Sequence, residues 1–198
     1  VVGDARHLQY NGPGYSAFAE NQIPMQVGNQ FHIMHNKFFI IDGRYVFVAT
    51  GNITSTGFGR NNNNWLYIDS VPVANDFQAE FDQMFAGRFS SAKNRIENGE
   101  KYEVGDTTVE VYFSPQEDTM GKMLEEIEKV DTSIHFQIFA FTKDQVGSAF
   151  INKHRELTRL NEEAAAAGEI PADWREQSPM DWPKKVVGIL DRSQLHGN

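Results

Sequence analysis

His35, Lys37 and Asp42 fall within the run HNKFFIIDGRYVFVATGN, which sets an imidazole, an ammonium and a carboxylate along one apolar, β-prone stretch. An imidazole can attack phosphorus, an ammonium offsets charge on the non-bridging oxygens, and hydroxyl or amide groups donate hydrogen bonds to those oxygens. The set therefore suits a phosphate ester, with His35 and Lys37 carrying the chemistry and Asp42 positioning or balancing charge.

Two strands and a turn must hold these groups. Ile33 to Ile41 reads as one strand, Asp42-Gly43 as a two-residue hairpin turn and Tyr45 to Ala49 as the return strand. With that turn Ile41 pairs with Arg44 and His35 faces Thr50. Side chains alternate along strands, so His35 and Lys37 share a face that Thr50 and Asn52 join from the partner strand. His32 and His35 form an H-x-x-H pair, but their odd separation sends them to opposite faces of a strand, and no metal ligand set is expected.

The pattern H-x-K-x4-D, followed by Ala49-Thr50-Gly51-Asn52, resembles the signature of the phospholipase D superfamily, whose usual continuation is G-S-x-N. Ala49 stands where that family usually has Gly, and Thr50 replaces Ser. The run Asn61 to Asn64 before WLYI resembles the segment where many members place a Glu or Asn that orients a catalytic histidine, which by position is Asn63. An Asn there cannot supply the negative charge of Glu. The resemblance implies an α/β fold, an α-β-α sandwich with a mixed sheet flanked by helices. It also implies a phosphodiesterase acting through a phosphohistidine, with Lys37, Thr50 and Asn52 on the phosphate oxygens and Asn63 in support. No cofactor is implied.

Composition sets outer limits. A chain of 198 residues can bury a real core in one large or two small domains. It has no cysteine, hence neither a disulfide framework nor a thiolate metal site. No apolar run approaches the length needed to span a bilayer, and no charged-then-apolar secretory segment opens the chain. These features fit a soluble chain and leave cytoplasm and exterior both open, secretion and peripheral membrane binding included. The net charge of −9 argues against tight non-specific binding to nucleic acid.

Strands and helices alternate along the rest of the chain. Val1 to Asp4 ends a strand and Tyr15 to Glu20 is a short helix. Phe77, Phe81, Met84, Phe85 and Phe89 mark an amphipathic helix after a strand at Trp65 to Ile68. Ser114-Pro115-Gln116-Glu117 has the form of a helix start, with Ser as N-cap and Glu at N3. Ser133 to Phe141 alternates as a strand, with His135 a packed or inter-strand residue, and a helix follows from about Asp144. Arg155 to Pro183 reads as a polar helical insertion in which Trp174 and Trp182 either dock on the surface or anchor a lid. Lys184 to Leu190 is the last strand.

The ends echo each other: VVGDAR and VGILDR are both apolar strands running into an acidic residue with a basic one close behind. Members of the superfamily commonly have two similar halves, each with one H-x-K. This chain resembles the rear part of one half, residues 1–98, joined to the front part of the next, residues 99–198 with its insertion near 155–183. Only one H-x-K is present, since His154 and His196 lack the pattern. Activity is thus expected to need a second motif from a longer chain or a homodimer partner. The expected substrate is a phosphodiester, phospholipid slightly ahead of nucleic acid. The alternatives are a metal-independent nuclease of the same superfamily and, in a different class, a catalytically silent binding or assembly module.

Overall fold

The computed structural model describes residues 1–8, 13–97 and 101–194. The expected division at 98/99, and His196, lie outside them. Backbone contacts divide the chain into two compact units, Val1–Thr119 and Met120–Asn198.

The first unit is built on a three-stranded antiparallel ladder, β3 (Phe38–Ile41), β4 (Tyr45–Ala49) and β5 (Trp65–Asp69), in that order. One helix covers it. That helix, α4 (Val71–Phe85), starts at Ser70, whose Oγ accepts the Val73 N–H, and it carries Pro72 in its first turn, where no intrahelical donor is lost. Its buried stripe runs through Val73, Ala74, Phe77, Glu80 and Met84 and meets Val46 and Ile68 from the ladder. Phe77 anchors the cluster, edge-on to Phe38 at 5.0 Å and to Phe113 at 5.2 Å. Of the expected stripe, Phe85 turns outward and Phe89 lies beyond the helix.

The same unit opens with β1 (Val2–Gly3), α1 (Ala5–Leu8) and α2 (Pro13–Glu20), and β1 pairs in parallel with β2 (Gln26–Val27). Short helix α3 (Ser55–Gly59) bridges β4 and β5. The hairpin β6 (Tyr102–Val104) and β7 (Thr107–Val109) turns at Gly105, whose φ of 65° suits glycine.

Two local expectations are corrected in this unit. The motif hairpin pairs Ile41 with Tyr45, not with Arg44. Asp42 and Gly43 do turn the chain with positive φ, 55° and 60°, but Arg44 is a third turn residue, its N–H donating to the Ile41 carbonyl at 3.1 Å. Its guanidinium pairs with Asp69 and its carbonyl accepts the Ser70 N–H. Downstream, Ser114 to Glu117 forms a turn, and helix α5 (Thr119–Glu128) begins only afterwards. The Glu117 carboxylate reaches back to the Phe113 N–H at 2.6 Å while its own N–H donates to the Phe113 carbonyl.

In the second unit β8 (Ser133–Ile138) and β9 (Lys185–Leu190) pair in parallel over six residues, and α6 (Asp144–Ala166) is the helix between them in sequence. The helical insertion expected from Arg155 is the continuation of α6: Leu157 and Asn161 extend the stripe of Val146 and Lys153, and no breaker occurs before Gly168. Asn161 clamps the start of β9, donating to the Lys184 carbonyl and accepting its N–H. Trp174 is buried edge-on to Trp182, so the pair docks on its own unit instead of projecting as a lid. His135 lies on β8 opposite Val187 and is exposed, not packed.

The α/β class and the mixture of parallel and antiparallel pairing are as expected, with the strands gathered in four small ladders consistent with an α-β-α sandwich. The echo of the two ends also has a local counterpart. After β1 the Asp4 carboxylate accepts the N–H of Arg6, and after β9 the Asp191 carboxylate accepts the N–H of Ser193.

Candidate active site

His35 and Lys37 sit just ahead of β3 on chain that forms no regular strand. The reason lies in where the backbone donors go. Asn29 Oδ1 accepts the N–H groups of Phe31 and His32, at 3.0 and 2.8 Å, and Asp4 Oδ2 accepts that of Met34 at 2.7 Å. Pairing resumes at Lys37, whose carbonyl accepts the Ala49 N–H at 2.9 Å. The expected strand from Ile33 is therefore shortened to β3, and strand alternation no longer decides where His32 points.

Lys37 folds its ammonium back onto the His35 carbonyl, Nζ to O 2.6 Å. No carboxylate pairs with it among the described residues. Burial holds the Lys37 amine below its ordinary value. Burial also lowers the His35 imidazole, the Lys37 charge lowers it further, and Asp4 opposes both. His35 thus favours the neutral form that a nucleophile or general base requires.

The remaining expected residues form a second group at the same end of the hairpin. The Thr50 hydroxyl donates to Asn63 Oδ1 at 3.1 Å and accepts the Asn64 N–H at 3.0 Å. Asn63 Nδ2 donates to the Gly57 carbonyl at 2.9 Å. The Asn52 side chain is exposed, and its carbonyl accepts the Thr54 N–H. Gly57 is required here, because a Cβ at that position would meet the Asn52 carbonyl oxygen at 2.0 Å. Thr50 and Asn63 therefore lock the 50–64 loop, and the Thr50 proton is committed to Asn63. No hydrogen bond or ion pair joins this group to the His35 or Lys37 side chains among the described residues. The observed register also changes the shared face: Lys37 lines up with Ala49 and, across β4, with Trp65, so Thr50, expected to face His35, has the opposite parity.

Asp42 is not brought to this end. It occupies the exposed hairpin turn, with all of β3 between it and Lys37, a span of about 15 Å at strand rise. The outer face between them is apolar and exposed: Phe39, Phe47 and Tyr67 form one row, and Trp65 stacks on Phe58 at 4.8 Å.

Three supporting residues escape the sequence reading. Asn36, between the two motif residues, donates to Glu80 Oε1 at 3.4 Å. Glu80 is 1 % exposed on α4 and pairs with Lys93, which also donates to the Ser114 carbonyl at 3.1 Å. A signal for this was present, since Glu80 interrupts the helical stripe between Phe77 and Met84. Asp4 is the third; its acidic position at a strand end was visible only as an echo of Asp191.

Residues 8–85, which span the motif, its hairpin and all of α4, match the family model described as cardiolipin synthase, PLD-like domain. No curated protein and no solved structure matches the chain. The family match bears out the resemblance read from H-x-K-x4-D and supports assignment to the phospholipase D superfamily, whose members act on phosphodiesters. No helix among the described residues is long and apolar enough to cross a membrane.

Proposed function

We propose that this chain carries one catalytic half-site of a phospholipase D-type phosphodiesterase. The observation that carries the reading is a His35 imidazole biased toward its neutral form, with the Lys37 ammonium on the His35 carbonyl and no carboxylate paired with that ammonium among the described residues. A neutral imidazole nitrogen attacks phosphorus, the bond to the leaving oxygen breaks, and a phosphohistidine forms. A second imidazole protonates the leaving oxygen, then takes a proton from the water or alcohol that attacks the phosphohistidine and regenerates the first histidine. Lys37 offsets charge on the non-bridging oxygens, and Asn52, with its side chain exposed at the same end of the hairpin, donates to them. Thr50 and Asn63 hold the loop that presents Asn52, and Asp42 acts at the turn.

The second imidazole comes from another H-x-K, in a longer chain or in a symmetric partner. The acidic balance and the apolar face that starts beside Lys37 favour a phospholipid over a nucleic acid. The test is His35→Ala in the enzyme that holds both motifs, assayed on phosphatidylcholine vesicles and on single-stranded DNA. Turnover is expected to fall at least ~10²-fold on the preferred substrate with the fold intact. Near-normal turnover by the folded variant removes His35 from the chemistry. Unchanged ligand binding without any wild-type turnover supports the silent module instead.

A further inference from the structure

Asp4 is 5 % exposed, yet it is a carboxylate with no cationic side chain bonded to it among the described residues. Burying a charge this way is costly unless hydrogen bonds hold it. Its two oxygens serve different donors. Oδ1 accepts the Arg6 N–H at 3.0 Å, closing the turn after β1, and Oδ2 accepts the Met34 N–H at 2.7 Å. Met34 precedes His35. An amide side chain supplies one acceptor where this geometry uses two, so the position calls for a carboxylate.

We propose that Asp4 is the positioning residue of His35, fixing the backbone one residue ahead of the imidazole and setting a permanent negative charge against which the imidazolium forms. The charged and titratable groups facing His35 are then Asp4 from the end of β1 and Lys37 from its own segment, and they act in opposite directions. Tyr15 of α2 completes the surroundings. Its ring packs over Gly3, where a Cβ would meet the phenol oxygen at 2.8 Å, and burial, then the Asp4 charge, keeps the phenol in its neutral form. Asp4 thus opposes, at His35, the partial burial and the Lys37 charge that disfavour the imidazolium. This role rests on the phosphodiesterase reading only where turnover is concerned; the positioning itself is tested without any substrate.

The experiment is an NMR titration of the His35 ring in the 198-residue chain, in wild type, Asp4→Asn and Asp4→Ala. Asp4→Asn should move the His35 midpoint down, because the charge that favours the imidazolium is lost. Asp4→Ala should, in addition, strip the Met34 amide of its hydrogen-exchange protection. In the unmodified chain the Met34 amide should be protected from hydrogen exchange, a readout that needs no variant to fold. In the enzyme with both motifs, Asp4→Asn should lower kcat more than it raises KM and shift the acidic limb of the rate profile to lower pH. An unmoved His35 midpoint in folded Asp4→Asn, or a Met34 amide that exchanges unprotected in the wild-type chain, overturns the proposal. Persistent turnover in His35→Ala would instead overturn the phosphodiesterase reading and leave these two measurements standing.

Discussion

Replacing Glu80 by Leu tests how the H-x-K segment is held. Glu80 and Lys93 are 1 % and 5 % exposed as side chains, so neither charge has water to fall back on. Removing one partner of such a pair costs about 3–5 kcal/mol, because the survivor stays buried and uncompensated. Here the Lys93 bond to the Ser114 carbonyl remains and offsets about 1 kcal/mol, which places Glu80→Leu near 3 kcal/mol. Glu80→Leu with Lys93→Met removes both charges and should return to within about 1 kcal/mol of wild type. Native-state hydrogen exchange at β4 amides such as Val46 reads the stability of this unit alone, and 3 kcal/mol corresponds to about 100-fold faster exchange. Both variants lose the Asn36 contact, so turnover in the complete enzyme should fall in both, even where the double variant has recovered its stability. A single variant with unchanged exchange, or a double variant that is stable and fully active, would refute the idea that this buried pair anchors the motif.

Lys37→Met keeps the length of the side chain and removes its charge; the His35 midpoint should rise and the acidic limb of the rate profile should move to higher pH, checked by NMR and by initial rates. Because folding lowers the His35 pKa, the unfolded chain binds more protons as pH falls below 6.5, so His35 contributes a loss of stability from there down to its folded value, measurable as a falling denaturation midpoint that His35→Gln abolishes. Gly57→Ala should destabilise the 50–64 loop by at least about 1–3 kcal/mol and reduce turnover by displacing Asn52; a crystal structure with Asn52 unmoved would count against this. Catalysis in the complete enzyme should survive EDTA, since Lys37 and polar donors meet the phosphate charge, and loss of activity restored by a divalent ion would redirect the reading to a metallonuclease.

The sequence by itself determined the chemistry-bearing set and its elements. H-x-K-x4-D needs only local spacing, and the hairpin, the amphipathic helix α4 and the strand at β5 follow from periodicity and turn residues that act within a few positions. What it misjudged depends on partners far along the chain. The register moved by one because Arg44 joins the turn, its N–H on the Ile41 carbonyl and its carbonyl taking the Ser70 N–H some 25 residues later. The strand at Ile33 stopped short because Asp4, 30 residues earlier, takes the Met34 N–H. Glu80 could sit in an apolar stripe only because Lys93 folds back to it, and Gly57 matters only because the Asn52 carbonyl lies against it. Local preference is carried by neighbouring residues and can be read in order. Which carboxylate satisfies which buried donor is settled when the chain closes on itself, since an unpaired polar group in the interior costs too much for any other arrangement to persist.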